Sequence, residues 1–443
     1  MFRLHQITRR GFCRACFVLG CLAPLVAFVA WGTYRHSPLH GRHEESSLRT
    51  LLGLRVAVAG VAHPRPGLTR YRDVALFDPE TGKAVARSEQ VEYRTSALDD
   101  SAKIALAGVT IERGGLAHCH ALLQRLLRRD RDKDLNLTVT ADEITIVGPV
   151  DTEELASFSG LLRASKGECE ARFVLEPSGE KISPADGEAE KSADRILVRF
   201  ARSRESGAPK EEWELHTGRH SVPCDWFQAV AGEVPGLVKS RLQGSIWVKD
   251  VAAGQVALRG RITGVELAPL VTPYFGHLIE GTIDVDFAQP AHFSNGRIVE
   301  MRATVTGGPG RVGRALLAAT SAALGCPTKF DRRLVDGVFA YEALAFEFLL
   351  DPRGQIAILG RLADRPKQLI SDSEGRGLLF QPNAQPQPVV NLVQVIEGAA
   401  GPTVPATPQA AAILGRLPLM GSATATTARP MREEPSPASS RLR

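Results

Sequence analysis

Apolar and polar residues alternate one by one along most of the chain between residues 54 and 362. The alternation is clearest in segments 135–140, 255–262, 282–287 and 299–306. Successive side chains of a β-strand point to opposite faces of the sheet, so each segment predicts a strand with one apolar and one polar face. Such strands are typical of antiparallel sheets, because parallel strands are usually apolar on both faces. The pattern therefore predicts a mainly β fold built on antiparallel strands.

A few short segments have the periodicity of an α-helix instead. One side of a helix predicted near 116–129 carries four leucines, namely Leu122, Leu123, Leu126 and Leu127. Two more helices are predicted near 267–279 and 312–324, and Gly325 follows the second as a glycine C-cap does. Turn residues at 78–82 and 351–354, with Pro early and Gly late in each, join strands on either side.

These elements divide the body into two β-rich regions, at 51–240 and 241–381. From 382 to 443 the sequence is rich in Pro, Ala, Gln, Thr and Ser. This composition predicts a largely disordered tail, because such a segment has too few apolar residues to bury. Within the tail, residues 389–396 are apolar enough to pack as a strand or as a helix.

Residues 15–34 form an uncharged apolar stretch near the N-terminus. Twenty residues in a helix are long enough to cross the hydrocarbon core of a bilayer, so this stretch predicts a transmembrane anchor. Arg3, Arg9, Arg10 and Arg14 precede it with no acidic residue among them. This bias places residues 1–14 in the cytoplasm and the body on the other side of the membrane. Residues 35–50 are polar and are predicted to be a short stalk.

Three other interpretations of this stretch stay open. Ala30-Trp31-Gly32 has the small-x-small pattern of a signal-peptide cleavage site. Segment 8–12 contains the arginine pair of a twin-arginine export signal. Segment 18–21 resembles the box of a lipoprotein signal, although the apolar run continues for ten residues past Cys21. An uncleaved anchor is the favoured interpretation.

Composition and charge argue against nucleic-acid binding. The chain has 443 residues, a net charge of +5 and only 6% aromatic residues. Its basic residues are scattered, whereas nucleic-acid binding needs a clustered basic face and stacking aromatics, so no nucleic-acid partner is predicted.

The four body cysteines, Cys119, Cys169, Cys224 and Cys326, are far apart in sequence. They either pair in one of three ways or stay as buried free thiols.

Candidate chemistry is sparse. Segment 308–313 matches G-x-G-x-x-G, but the strand before it alternates and no parallel βαβ pattern surrounds it. His118-Cys119-His120 are adjacent on a predicted helix and therefore point in different directions. Asp284 and Asp286 share one strand face, where solvent exposure explains them without acid–base chemistry. No catalytic residue, cofactor site or metal site is therefore predicted, and the chain is not expected to be an enzyme.

The region 254–325 resembles the AsmA-like proteins of bacterial envelopes, a group that includes TamB. The segments that carry the resemblance are GQVALRGRITGVELAPLV, EGTIDVDFA and NGRIVEMRATVTGGPGRVGRALLAA. The resemblance implies an elongated, curved antiparallel sheet with an apolar groove that shields lipid acyl chains. It also implies a location in the bacterial inner membrane, with the N-terminus in the cytoplasm and the body in the periplasm.

Together these observations predict a membrane-anchored periplasmic β-groove protein in envelope lipid handling or outer-membrane biogenesis. Its expected partners are the bilayer, through residues 15–34, and phospholipid acyl chains. The alternative is a non-enzymatic envelope scaffold or assembly factor with a closed β core. The candidate lipid-facing residues are the apolar alternates of three strands, which in the alternative are ordinary core: Val256, Leu258, Ile262, Ile283, Val285, Phe287, Val299, Met301 and Val305.

Overall fold

Strands make up most of the residues that the computed structural model describes, which confirms the predicted mainly β fold with a few short helices. The chain divides into two compact units, Met1–Val265 and Glu266–Arg443. The structure describes the following residues: 14–35, 37–96, 101–128, 134–148, 152–165, 167–177, 195–203, 210–227, 236–250, 254–275, 277–295, 297–329, 337–363, 365–397 and Leu417.

The first unit contains three helices and thirteen strands in its described part. The helices are α1 (Arg14–Arg35), α2 (Pro38–Leu52) and α3 (Leu116–Arg128). The strands are β1 (Arg55–Arg65), β2 (Leu68–Phe77), β3 (Ala84–Thr95), β4 (Ser101–Glu112), β5 (Leu135–Ala141), β6 (Ile144–Val147), β7 (Thr152–Ala164), β8 (Glu168–Pro177), β9 (Ile196–Ser203), β10 (Lys210–His216), β11 (Val222–Pro223), β12 (Arg241–Asp250) and β13 (Gln255–Glu266). Single 3-10 turns at Arg113–Gly115 and Cys224–Phe227 complete it.

The second unit contains the remaining elements. Its helices are α4 (Leu267–Phe275), α5 (Arg314–Leu324) and α6 (Val390–Glu397). Its strands are β14 (Ile279–Glu280), β15 (Thr282–Ser294), β16 (Arg297–Gly307), β17 (Gly310–Gly313), β18 (Val338–Tyr341), β19 (Ala343–Leu350), β20 (Gln355–Gly360), β21 (Gln368–Ser371), β22 (Gly377–Phe380) and β23 (Gln387–Pro388).

The predicted anchor is a helix of membrane-spanning length. Helix α1 has 22 residues, none of them buried, and spans about 33 Å at 1.5 Å per residue. That length exceeds the roughly 30 Å hydrocarbon core of a bilayer. A π-helical turn at Val18–Leu22 interrupts it. Its large apolar side chains, such as Leu19 and Phe28, are exposed, and a bilayer is the environment that would cover them.

The predicted stalk is a helix that packs on the sheet. Helix α2 ends at Gly53, whose φ of 64° is the left-handed C-cap conformation that glycine favours. The Glu45 carboxylate accepts a hydrogen bond of 2.9 Å from the backbone N–H of Val58 on β1. The Tyr71 hydroxyl on β2 donates to Glu44 at 3.2 Å. These contacts fix the segment after the anchor against the first two strands.

The strands of the first unit pair almost entirely with their neighbours in sequence. Pairing is antiparallel from β1 to β4 and again from β7 to β10, and β12 joins β10 to β13. The exception is β4, which pairs in parallel with β5 and β6. The expectation of a purely antiparallel sheet is therefore wrong at this point. The reason is that helix α3 connects β4 to β5, and a helical crossover returns the chain in the same direction.

One face of this sheet is apolar and the other is polar. Directly opposite residues run as an apolar row across seven strands: Val139, Gly160, Phe173, Val198, Leu215, Ile246 and Leu258. Helix α3 packs on this face, where Leu127 joins a buried cluster with Leu162 and Phe200. The opposite face carries a polar row of Arg172, Arg199, Glu214 and Trp247.

The second unit has two sheets in its described part. The larger sheet pairs β15, β16, β19 and β20 in that order, all antiparallel. Strands β21 and β23 extend it from β19 and β20, and β22 pairs with β21. The smaller sheet consists of β14, β17 and β18.

Three predicted boundaries in this unit need correction. The helix predicted near 312–324 begins at Arg314, because residues 310–313 form strand β17. The helix predicted near 267–279 ends at Phe275. The tail predicted as largely disordered from 382 is structured as far as Glu397, since β23 pairs with β20 and α6 follows it. Of the residues beyond, only Leu417 is within the described part.

All four body cysteines are free thiols. Burial raises the pKa of Cys119 to about 11 and that of Cys326 to about 12. We expect Cys326 to resist maleimide labelling at pH 8 in the folded protein, because its side chain is fully buried and the raised pKa keeps the thiol protonated. Labelling should become complete in urea. Peptide mass spectrometry measures both, and Ser165→Cys at an exposed position is the reactive control. A disulfide among the four residues in the native protein would contradict the structure.

A buried carboxylate joins three strands of the larger sheet in the second unit. Glu347 on β19 is only 3% exposed. It accepts a hydrogen bond of 2.5 Å from Arg302 on β16 and further ones from Arg361, which follows β20. Burial alone would raise the pKa of Glu347, but the hydrogen bonds from Arg361 and Arg302 outweigh it and hold that pKa below its ordinary value.

Glu347→Gln should therefore lower the free energy of unfolding at pH 7 by about 1 kcal/mol, because charge-assisted hydrogen bonds are lost. A depressed carboxyl pKa stabilises the fold above the unfolded value, near 4.3, and this contribution disappears as the pH falls through the folded value. The difference between wild type and Glu347→Gln in urea unfolding should thus shrink towards pH 3. The exposed Glu342→Gln is the control, and an equal difference at both pH values would contradict the assignment.

Candidate functional site

An apolar cavity of about 340 Å³ lies inside the second unit. Strands β19 to β22 and helices α5 and α6 line it, together with Ile279 and Val312 from the smaller sheet. Among the described residues, Thr320 is the only lining residue that is not apolar, and its hydroxyl donates to the Leu316 carbonyl at 2.8 Å. No ionisable side chain in the described part of the chain lines the cavity. Its chemistry therefore suits an uncharged hydrocarbon group.

The cavity has a buried floor and a more accessible rim. Val312, Leu317 and Leu324 of the floor are at most 2% exposed. The rim consists of four half-buried apolar side chains: Leu316, Phe346, Phe348 and Leu392. Ligand cavities in proteins commonly measure about 300–1,000 Å³, so this one is large enough for a small ligand or for part of a long one.

The alternation of β19 explains why the cavity forms on one face of the sheet. Phe346 and Phe348 line the cavity, and Glu347 between them points to the opposite face, where its arginine partners lie. Helix α5 supplies Leu317, Thr320 and Leu324 to the cavity. The spacing of three and four residues places all three on one side of the helix.

Helix α6 covers the cavity and is held by polar contacts at both ends. Its Leu392 and Val395 line the cavity. The buried His277 ring donates from Nε2 to the Val395 carbonyl at 2.9 Å. Just before the helix, Gln387 Nε2 donates to the Leu324 carbonyl at the end of α5 at 2.6 Å. These bonds hold α6 next to α5 without placing a polar group in the cavity.

Three of the predicted lipid-facing residues lie on β13 in the first unit. Val256, Leu258 and Ile262 stand opposite Val248, Ile246 and Leu242 of β12. Leu258 and Ile262 pack against a buried cluster that contains Leu215 and Leu242. These two residues therefore take part in the core of the first unit.

The other six predicted residues lie on β15 and β16 in the second unit. Three of them, Ile283, Phe287 and Val305, are buried, and three are half-buried, namely Val285, Val299 and Met301. Val285 stands opposite Val305, which in turn stands opposite Phe346. Directly opposite side chains share a face, so these residues lie on the same sheet face as the cavity. None of the nine lines the cavity itself, and their contact with lipid stays a prediction.

The sequence signals for the cavity were present but incomplete. Residues 343–350 have the alternating pattern of a strand only in part, because Leu349 and Leu350 follow Phe348 without a polar residue between. The apolar character of 389–396 indicated that this segment packs. What no local pattern reveals is that α5 and α6, about 70 residues apart in sequence, cover the same patch of sheet.

No protein-family model matches the chain, and a search of curated proteins finds no match. The resemblance to the AsmA-like proteins is therefore neither supported nor excluded by relatives of known function.

The division into floor and rim predicts a difference between two adjacent leucines. Leu317→Ala should lower the free energy of unfolding by about 3 kcal/mol, because it enlarges a buried cavity. Leu316→Ala should cost clearly less, since its half-buried side chain leaves a gap that solvent can enter. Urea unfolding followed by far-UV circular dichroism measures both variants. Equal losses would show that the rim is closed.

Proposed function

We propose that this protein is a membrane-anchored β protein of the bacterial envelope that binds the acyl chain of a membrane lipid. The ligand would occupy the cavity of the second unit. Its acyl chain would contact the four rim residues Leu316, Phe346, Phe348 and Leu392. On this proposal the protein serves envelope lipid handling or outer-membrane biogenesis, as the resemblance to the AsmA-like proteins implies.

The observation that carries the proposal is the lining of the cavity, in which every described residue except Thr320 is apolar. A cavity wall without charges offers no favourable contact to a polar ligand, which would lose its hydrogen bonds to water on entry. An alkyl chain loses none, and each buried methylene contributes about 0.8 kcal/mol. The half-buried rim also matters, because an occupant needs a route to the floor.

The N-terminal helix supports the same proposal, because an anchor would keep the protein close to membrane lipids. A protein tethered through α1 stays beside a bilayer, where the concentration of acyl chains is high. The excess of arginines before the helix favours an orientation with the N-terminus in the cytoplasm. The body would then work in the periplasm, next to the inner membrane.

An envelope scaffold is the second candidate, and the first unit favours it. Helix α3 and the turn that carries Trp226 pack on the apolar face of its sheet. Leu258 and Ile262, predicted to face lipid, contribute to that packing. A sheet whose apolar face is covered in this way needs no lipid to keep it from water.

Site-specific photocrosslinking in the full chain separates the two candidates. We expect p-benzoylphenylalanine in place of Phe348 to crosslink phospholipid in intact membranes, detected as an added lipid mass on the peptide. The same group in place of Leu349 is the matched control, because Leu349 is half-buried on the opposite face of the same strand. Phe348→Asp should remove lipid crosslinking from a probe placed at Leu316. Lipid on neither probe, or equally on both, would favour the scaffold.

A further inference from the structure

A serine, a histidine and a glutamate form a hydrogen-bonded chain on the polar face of the first unit. His216 Nδ1 lies 2.9 Å from the Ser245 hydroxyl, and His216 Nε2 lies 2.6 Å from Glu214 Oε1. Both distances are within the range for a nucleophile, its base and the group that orients the base. These three residues lie on two paired strands. Glu214 and His216 are on β10, and Ser245 is directly opposite His216 on β12.

The backbone beside these residues is held in a conformation that only glycine adopts readily. Gly244 and Gly260 stand opposite each other with φ values of 149° and 123°. A Cβ on Gly244 would lie 2.1 Å from the Arg259 carbonyl oxygen. Glycine inside a strand often marks a place where another backbone approaches closely. Here that close approach lies immediately next to Ser245.

Thr217 fixes the register that brings Ser245 to His216. This residue is fully buried. Its N–H donates to the Gly244 carbonyl at 2.9 Å, and its hydroxyl accepts from the Gly244 N–H at 2.8 Å. Thr217 follows His216 and Gly244 precedes Ser245. These two bonds therefore hold His216 and Ser245 side by side.

The Glu214 carboxylate, which accepts the hydrogen bond from His216, is kept ionised. Burial would raise the pKa of Glu214, but hydrogen bonds from His216 and Trp247 outweigh it and hold that pKa below its ordinary value. Trp247 Nε1 donates to the same oxygen, Oε1, at 2.8 Å, and the indole packs edge-on against the His216 ring. Glu214 therefore accepts from the ring N–H and favours the tautomer whose Nδ1 is free to take the serine proton.

An arginine stands next to the serine on the same face. Arg259 on β13 is directly opposite Ser245, and directly opposite residues have Cβ atoms about 5 Å apart. Arg259 is exposed. A guanidinium in this position can stabilise the negative charge that develops on a carbonyl oxygen when a hydroxyl attacks it.

We propose that Ser245 is a nucleophile that hydrolyses carboxylic esters, with His216 as its base, Glu214 as a positioning residue and Arg259 as the group that stabilises the oxyanion. In the first step the Ser245 oxygen bonds to the ester carbonyl carbon while Nδ1 of His216 takes the hydroxyl proton. The carbon–oxygen bond to the alcohol then breaks, and the alcohol leaves with that proton. Water attacks the acyl-serine with the same base, releases the carboxylic acid and restores the hydroxyl.

The test uses the full chain with two probes, a fluorophosphonate that labels activated serines and p-nitrophenyl acetate. We expect the fluorophosphonate on Ser245 by peptide mass spectrometry, and loss of both labelling and ester hydrolysis in Ser245→Ala. Ser159→Ala is the matched control, because Ser159 is an exposed strand serine on the polar face of the same sheet. His216→Ala should lower the labelling rate about 100-fold, and added imidazole should restore part of it. Glu214→Gln should lower the labelling rate at a temperature at which circular dichroism shows the variant to be fully folded, and Glu214→Asp should recover part of the loss.

Either of two results would overturn the proposal. One is a wild-type protein that carries no label at Ser245. The other is a Ser245→Ala variant that hydrolyses p-nitrophenyl acetate as fast as the wild type. Because lipid crosslinking at Phe348 is measured separately, failure of the ester proposal leaves the lipid proposal unaffected, and the reverse also holds.

Discussion

The structure depends on removing the apolar face of each amphipathic strand from water. An antiparallel strand in this chain presents apolar side chains on one face, so a sheet of such strands collects them into a continuous surface. In the first unit that surface extends from Val139 to Leu258 across seven strands. Helices and turns that lie on it determine which parts become core and which parts stay accessible.

The two units differ in how completely helices fill the space over the apolar face of the sheet. In the first unit α3 contributes leucine side chains to a filled cluster around Leu162 and Phe200. In the second unit α5 and α6 cover the sheet but leave about 340 Å³ between them and β19 to β22. Dispersion contacts between an alkyl group and the apolar side chains around it add up over many atom pairs. An alkyl chain in the cavity would make such contacts along its walls, which is why the proposed lipid site lies in the second unit.

The sequence was informative wherever a feature depends on local period. Alternation located strands β5, β13, β15 and β16, and helix α3 begins at Leu116 as predicted. The predicted end of that helix, residue 129, lies outside the described residues. The uncharged stretch at 15–34 identified α1. The parallel pairing of β4 was missed because alternation favours antiparallel pairing in general and does not reveal that the chain returns through helix α3 in the direction of β4. The cavity was missed for a related reason. Phe346 and Leu392 meet only through the tertiary fold, so apolar residues on β15 and β16 were selected as lipid-facing when the cavity lies further along the same face.

The same alternation that creates the apolar surface also determines where polar chemistry can occur. Every apolar residue directed to one face leaves its neighbour on the other, where Glu347 meets two arginines and Glu214 meets His216 and Trp247. On β12 and β13 this places Ser245 and Arg259 opposite the face that carries Ile246 and Leu258. A substitution at Glu214, His216 or Ser245 therefore leaves the apolar packing of the same strands in place. The apolar core therefore sets no requirement on the side chains of the polar face, and the glycine pair at 244 and 260 lets the strands that carry Ser245 and Arg259 approach closely.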